Sequence, residues 1–356
     1  MKKVILMLAV AAMASCAKSE LAERPATGDG LVELKFNSAA IETRTPFIGT
    51  IGDTETLTAQ VLVSTKTNTY FETSGDGFYA NGTVTFTDQS TAKGFNNQSV
   101  YYPVDDSQLF LVGLYPVNSW TFATENTGAS VSHDIDGKTD LMFATEKNTK
   151  KSDVVVAAPA QPNYPTLQFK HLLTKYDIVA KAGDDKANEN WGKITSIQLV
   201  NVKDSSTQPE TKCTITFANS AKPVEFSGAG AVDFYMAKGS TTQPTVPAYL
   251  DTMIGENNDP ENYVELADDD TTINAYAIAA PIDPSTNDFI TLHVKTTKHT
   301  EGQDVKVYLK KDGSPVTGPT NGKTFTITLT FNSTELKVIG EVTDWTDGGT
   351  GTTEIQ

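Results

Sequence analysis

Strict alternation of apolar and polar residues recurs along this chain and limits it to β structure. In the clearest run, Phe325, Ile327, Leu329 and Phe331 are separated by three threonines. A period of two places alternate side chains on one face of a strand, and Thr, Val, Ile and Phe suit a pleated, half-buried surface. Shorter runs with the same period are Val32, Leu34 and Phe36; Leu292 and Val294; and Val305, Val307 and Leu309. The pattern predicts an all-β fold of the sandwich type.

Clusters of glycine, asparagine and aspartate separate these runs and predict the turns between strands. They are Gly75-Asp76-Gly77, Asn81-Gly82, Lys311-Asp312-Gly313 and Asn321-Gly322. Residues 108–114 are apolar on both faces, which predicts a central strand covered on both sides.

The length and three prolines suggest the domain organisation. A chain of 356 residues is long enough for two domains of about 100 to 200 residues each. Pro159, Pro162 and Pro165 lie close together, and proline cannot donate to a strand ladder, so we place the boundary there. We predict two β-sandwiches in tandem, at residues 31–165 and 166–346, followed by a tail at residues 347–356.

The first sixteen residues have the order of a secretory signal. Lys2 and Lys3 precede an apolar run that ends in small residues before Cys16, and this run is too short to span a membrane. Because Met13-Ala14-Ser15-Cys16 resembles a lipobox, we predict that Cys16 is lipidated and anchors the chain to the outer membrane. Residues 17–30 would then form a flexible tether. The alternative is an ordinary signal with an incidental cysteine.

Charge and cysteine content exclude other classes of protein. The net charge of −16 argues against nucleic-acid binding. Cys213 is the only cysteine besides Cys16, so no internal disulfide forms after signal removal. Cys213 alternates with Ile215 and Phe217, which predicts a small buried side chain rather than a nucleophile.

No residue pattern in the chain indicates catalysis, a metal site or a cofactor. Nucleophile-elbow, zinc, P-loop and dinucleotide motifs are missing, and His133, His171, His293 and His299 are scattered. Residues 251–270 are acidic and poor in strand pattern; they do not match an EF-hand, so a solvated loop is favoured over a calcium site. A pair of hydrolase carboxylates that meets only in the folded chain stays open.

Three sequence motifs spread over most of the chain carry a family resemblance. They are Tyr101-Tyr102-Pro103-Val104-Asp105 with Leu109-Phe110-Leu111-Val112-Gly113-Leu114-Tyr115-Pro116; Asp140-Leu141-Met142-Phe143-Ala144 with Leu167-Gln168-Phe169-Lys170-His171-Leu172-Leu173-Thr174-Lys175; and Val342-Thr343-Asp344-Trp345. In order and spacing they resemble the fimbrillin family of type V pilus subunits from Bacteroides-like bacteria. The resemblance makes His171 a structural residue near the domain boundary.

The resemblance implies two transthyretin-like β-sandwiches and a polymer built by strand exchange. A lipoprotein precursor reaches the cell surface, a trypsin-like or arginine-specific protease cuts near its N-terminus, and the first strand leaves. The vacated groove accepts a strand from another copy or a related subunit. The C-terminal strand would be the donor, for which the candidate residues are Val338, Val342, Trp345 and Ile355.

The arginine content supports this scheme independently. Arginine occurs only at Arg24 and Arg44; because Pro25 protects the first site, the cut is predicted between Arg44 and Thr45. The released segment would carry Val32, Leu34 and Phe36. The alternative is that arginine is rare by drift and that the first strand stays.

We therefore expect a non-enzymatic fimbrial subunit that serves adhesion, with stalk, tip and anchor roles open. One alternative is a monomeric surface lipoprotein that binds carbohydrate or another host ligand. It would keep its first strand and show a flat aromatic platform or a calcium site in the acidic loop.

Overall fold

The computed structural model describes residues 31–38, 42–44, 48–50, 56–87, 91–123, 128–155, 162–218, 222–238, 248–269 and 271–344. Within these ranges the chain is almost entirely β, as the alternating pattern predicts. The helical elements are α1 (Lys151–Val154), α2 (Ala187–Trp191) and two 3-10 turns, Glu256–Asn258 and Pro260–Asn262. None of the helices in these ranges is both long and apolar enough to cross a membrane.

Eleven of the described strands precede Leu172. They are β1 (Asn37–Ser38), β2 (Glu42–Arg44), β3 (Ile48–Thr50), β4 (Leu57–Ser64), β5 (Phe78–Phe86), β6 (Leu109–Tyr115), β7 (Thr121–Phe122), β8 (Ser130–Asp134), β9 (Met142–Thr149), β10 (Thr166–Leu167) and β11 (Phe169–His171).

Fourteen described strands follow. They are β12 (Thr174–Ala182), β13 (Ile194–Asn201), β14 (Lys212–Thr216), β15 (Val224–Ser227), β16 (Val232–Asp233), β17 (Tyr235–Lys238), β18 (Ala248–Met253), β19 (Ala275–Ala279), β20 (Ile290–Thr296), β21 (Gln303–Val307), β22 (Lys310–Lys311), β23 (Ser314–Pro315), β24 (Lys323–Phe331) and β25 (Leu336–Asp344).

A five-stranded antiparallel sheet forms the frame of the N-terminal half. Its order is β11-β9-β6-β4-β5, so β6 is the central strand. Leu109 and Leu111 of β6 enter one apolar cluster, and Val112 and Leu114 enter another. The prediction of a central strand covered on both faces is therefore confirmed.

Two sheets enclose the core of the C-terminal half. One contains eight strands in the order β18-β17-β19-β12-β24-β25-β22-β23, and the other has the order β16-β13-β20-β21. The alternating residues of β24 lie fully buried between them: Phe325, Ile327, Leu329 and Phe331 are each 0% exposed.

A fourth sheet joins the two halves of the chain. Its order is β15-β14-β8-β7, and the antiparallel pair β8–β14 places Cys213 opposite His133. Cys213, Ile215 and Phe217 are buried in the apolar cluster between this sheet, the five-stranded sheet and β19. This burial confirms the prediction that Cys213 is a small buried side chain on the same face as Ile215 and Phe217.

Three of the four predicted turns are confirmed, and one is wrong. Asp312 (φ 50°) and Gly313 (φ 77°) adopt left-handed conformations between β22 and β23, as a two-residue hairpin loop requires. Asn81-Gly82 instead lies inside β5, where Gly82 pairs with Val61. A Cβ on Gly82 would lie 2.7 Å from Phe95, so glycine is needed there for close packing rather than for a turn.

Candidate functional site: the groove of the N-terminal segment

Residues 31–38, here called the N-terminal segment, lie extended between two other parts of the chain. On one side the N–H of Leu34 donates to Val100 (2.7 Å), and Phe36 exchanges backbone bonds of 2.9 and 2.8 Å with Lys93. On the other side β1 runs parallel to β10. The N–H of Asn37 donates there to the Pro165 carbonyl (2.9 Å). The segment is thus part of a second layer over the five-stranded sheet.

The alternate side chains of the segment fill the core beneath it. Val32, Leu34 and Phe36 are 4%, 0% and 0% exposed, and the Phe36 ring meets Phe95 edge to face at 5.5 Å. At about 1.5 to 3 kcal/mol for each fully buried large apolar side chain, the three contribute on the order of 5 to 9 kcal/mol. The burial that the alternation of these residues predicts is observed, and their role as the exchanged strand stays a prediction.

The predicted cleavage site lies six residues after the segment. β2 and β3 form an antiparallel pair in which Glu42 lies opposite Thr50 and Arg44 lies opposite Ile48. Arg44 is the last residue of β2, so the bond after it begins the connection to β3. Thr45 and Arg24 lie outside the described residues, as does the predicted lipidation site Cys16.

The predicted donor residues belong to the last described strand and to the region after it. β25 pairs antiparallel with β24 over nine residue pairs, with Val338 opposite Leu329 and Val342 opposite Phe325. On its other edge β25 pairs with β22 at one position, Glu341 with Lys310. Trp345 and Ile355 lie outside the described residues.

Comparison of the sequence with protein families supports the same interpretation as this geometry. The sequence profile of a family described as fimbrillin-like matches residues 43–345, well over half of the chain. This chain belongs to the fimbrillin-like family. Membership indicates a fimbrial role at the cell surface and a family of structural proteins rather than enzymes. None of the curated proteins matches the chain.

Solved structures resemble this fimbrillin-like chain at low identity. A candidate cell adhesion protein from Bacteroides uniformis is 19% identical with a TM-score of 0.50, over 89% of this chain and 99% of that one. A fimbrial protein from Bacteroides vulgatus is 16% identical with a TM-score of 0.38, over 88% and 99%. The C-terminally truncated tip fimbrial protein Mfa3 from Porphyromonas gingivalis is 9% identical with a TM-score of 0.40, over 88% and 100%. The first of these likenesses supports the fold.

The motif residues of the fimbrillin-like chain include a buried hydrogen-bonded pair that the sequence pattern does not reveal. His171 Nδ1 lies 2.6 Å from Asp140 Oδ2, and the two side chains are 8% and 0% exposed. The N–H of Leu172 also donates to the Leu141 carbonyl (2.8 Å). The pair therefore fixes the end of β11 beside the start of β9, which agrees with the structural role expected of His171.

A second buried pair occupies β12. Lys175 Nζ lies 2.9 Å from Asp177 Oδ2 and donates to the Tyr249 hydroxyl at 2.6 Å. Burial raises the pKa of Asp177, and the Lys175 charge opposes that shift. The sequence signal for this pair is two opposite charges, two residues apart, near the start of a strand that is mostly apolar.

A cavity of about 270 Å³ beside β9 bears on the carbohydrate alternative. Tyr70 and Phe217 line it with their rings edge to face at 68° rather than coplanar. The Glu146 carboxylate accepts bonds from the Thr67 hydroxyl, the Asn68 N–H and the Tyr70 hydroxyl, each within 2.7 Å. The Tyr70 and Phe217 rings therefore do not form a flat aromatic platform in this cavity.

The acidic stretch 251–270 is only partly a loop. Asp251 belongs to β18, and Val264 pairs with Ile194, while Asp270 lies outside the described residues. Bonds from the Thr271 and Thr272 amides and side chains lower the pKa of Asp269 to about 2. Within the described ranges, no group of three or more His, Cys, Asp or Glu side chains could hold a metal ion.

Proposed function

We propose that this chain is a structural subunit of a cell-surface fimbria that is assembled by proteolysis and strand exchange and that serves adhesion. The observation that carries the proposal is the burial of Val32, Leu34 and Phe36 in a segment that leads within a few residues to Arg44. A cut after Arg44 would separate this segment covalently from the rest of its own core.

The consequence of such a cut follows from the packing. Departure of the segment would uncover apolar side chains such as Phe95, and it would leave the carbonyls of Val100 and Pro165 without their donors. An open apolar groove with an unpaired strand edge strongly favours association. A strand from another copy or a related subunit restores both the backbone bonds and the buried side chains.

The remaining parts of the proposal concern the two ends of the chain. Lipidation of Cys16 would anchor the precursor to the outer membrane before processing, since multiple acyl chains give stable anchoring. The donor would come from β25 and the residues after it, including Val338, Val342, Trp345 and Ile355. A surface protease that cuts after arginine is the processing partner.

We also propose the two-domain organisation, with its boundary shifted slightly. Residues 166–171 pair with β1 and β9 of the N-terminal half, so the first domain would extend to His171 rather than to residue 165. The sheet shared by β8 and β14 would fasten the two domains to each other.

The test uses the unlipidated chain that begins at Ala17 and an arginine-specific protease. We expect one cut, after Arg44, followed by SDS-resistant multimers on a gel, while Arg44→Ala stays intact and monomeric. Arg24→Ala is the matched control and should behave as the unmodified chain. A cut product that stays monomeric would overturn the exchange proposal and favour a monomeric surface protein.

A further inference from the structure

Each half of the chain holds its first strand between an antiparallel and a parallel neighbour. In the N-terminal half, the N-terminal segment runs antiparallel to residues 93–102 and parallel to β10. In the C-terminal half, β12 runs antiparallel to β19 and parallel to β24. The segment that would leave and the strand β12 therefore occupy equivalent positions.

The two parallel edges differ greatly in length. β12 pairs with β24 through eight residue pairs, from Lys175 with Thr324 to Ala182 with Phe331. β1 pairs with β10 through two, Asn37 with Thr166 and Ser38 with Leu167. On its parallel side, β12 is thus paired along almost its whole length. The N-terminal segment is paired on its parallel side only at its last two residues.

Two prolines lie on the short edge, just before β10. Pro162 and Pro165 have no N–H, so this stretch has fewer donors than acceptors. Pro165 directly precedes β10, and its carbonyl accepts from Asn37 at the start of the parallel ladder; in extended backbone the N–H and C=O of one residue point to the same side. The donor that Pro165 lacks would therefore face the N-terminal segment. β24, the equivalent strand in the C-terminal half, contains no proline.

Asn37 makes two contacts with this edge. Its N–H donates to Pro165 (2.9 Å), and its side-chain Nδ2 donates to the Tyr164 carbonyl (3.2 Å). A side-chain donor thus bonds to an acceptor on an edge that is poor in backbone donors. The side-chain bond lies at the end of the segment, next to the residues that lead to Arg44.

We propose that the proline-containing edge at residues 162–167 makes the N-terminal segment releasable while β12 stays fixed, and that the Asn37 side chain sets the rate of release. The inference rests on the proposed function, because it identifies what controls strand departure from that groove. Asn37 is a positioning residue in this scheme, and Pro165 is the site where a restored donor would oppose release.

Hydrogen exchange on the uncut, unlipidated chain tests the proposal without requiring cleavage. We expect peptides covering residues 31–38 to exchange at least tenfold faster than peptides covering residues 174–182. Asn37→Ala should speed exchange of the segment about fivefold, the effect of losing one hydrogen bond. Pro165→Ala, which restores an N–H facing the segment, should slow it.

The matched control is Asn190→Ala, since the Asn190 Nδ2 also donates to a backbone carbonyl, that of Ser333, at 2.9 Å. This variant should leave exchange of the segment unchanged. The inference would be overturned if residues 31–38 and 174–182 exchanged hydrogen equally slowly. It would also be overturned if Asn37→Ala and Pro165→Ala did not change the exchange rate of the segment in opposite directions. Failure of the cut chain to form multimers would instead overturn the proposed function, so the two failures are distinguishable.

Discussion

Truncating one buried residue of the N-terminal segment should weaken the precursor but not the assembled fibre. Leu34 is 0% exposed in the N-terminal core. Replacing a buried leucine by alanine costs about 2 to 5 kcal/mol, since apolar contacts are lost and a cavity is left. We therefore expect Leu34→Ala to lower the unfolding free energy of the uncut chain by about 3 kcal/mol. If strand exchange removes residue 34 from every subunit, multimers of Leu34→Ala should be as resistant to heat as multimers of the unmodified chain.

Urea unfolding of the uncut chain and heat dissociation of the SDS-resistant multimers measure the two effects. Leu329→Ala is the matched control, because Leu329 is equally buried in the C-terminal core and remains in the subunit after cleavage. It should weaken both the precursor and the multimer. Multimers of Leu34→Ala that dissociate at lower temperature than the unmodified ones would show that the segment stays in its groove, which is incompatible with strand exchange.

Three further predictions test the structural roles of individual side chains. Asp140→Ala removes the carboxylate that is hydrogen-bonded to buried His171 and should cost about 1 to 3 kcal/mol in urea unfolding. Replacing the exposed ion-pair residue Asp76 by alanine should cost less than about 1 kcal/mol, and equal costs would contradict the structural role. Burial raises the pKa of Cys213 to about 12, so a maleimide at pH 8 should label the unlipidated chain only after unfolding, and rapid labelling of the folded chain would contradict that burial. The pKa of Asp269 is lowered to about 2, so its ionised carboxylate stabilises the folded chain at pH values above its unfolded pKa near 4. This stabilisation is lost as the pH falls toward 2. The unfolding free energy of Asp269→Asn should lack that part of the pH dependence, and an unchanged acid profile would contradict the prediction.

Local pattern was sufficient to predict the strand content and much of the core. Side chains at Val32, Leu34 and Phe36, and from Phe325 to Phe331, alternate because the period of a strand is fixed by backbone geometry. The one wrong turn, Asn81-Gly82, has a cause outside the local pattern. Glycine there accommodates Phe95, which is distant in sequence, and short-range turn rules cannot detect such packing.

Long-range pairing could not be predicted from the pattern. The sheet that joins β8 to β14 links residues about eighty positions apart, and alternation states which face is buried but not which strands are neighbours. The Asp140–His171 pair is hidden for the same reason. The Lys175–Asp177 pair is visible in the sequence, but the burial of both charges depends on Tyr249 and on the packing of β12 between β19 and β24.

The most direct test of strand exchange is competition for the groove. A synthetic peptide of residues 31–44, added in excess during cleavage of the unlipidated chain, should suppress multimers because it refills the groove from which the segment leaves. A peptide carrying Leu34→Asp and Phe36→Asp is the matched control and should have no effect, since a buried unpaired carboxylate is costly. Strand exchange predicts that only the first peptide suppresses multimers; multimers that form equally well with both peptides would rule it out.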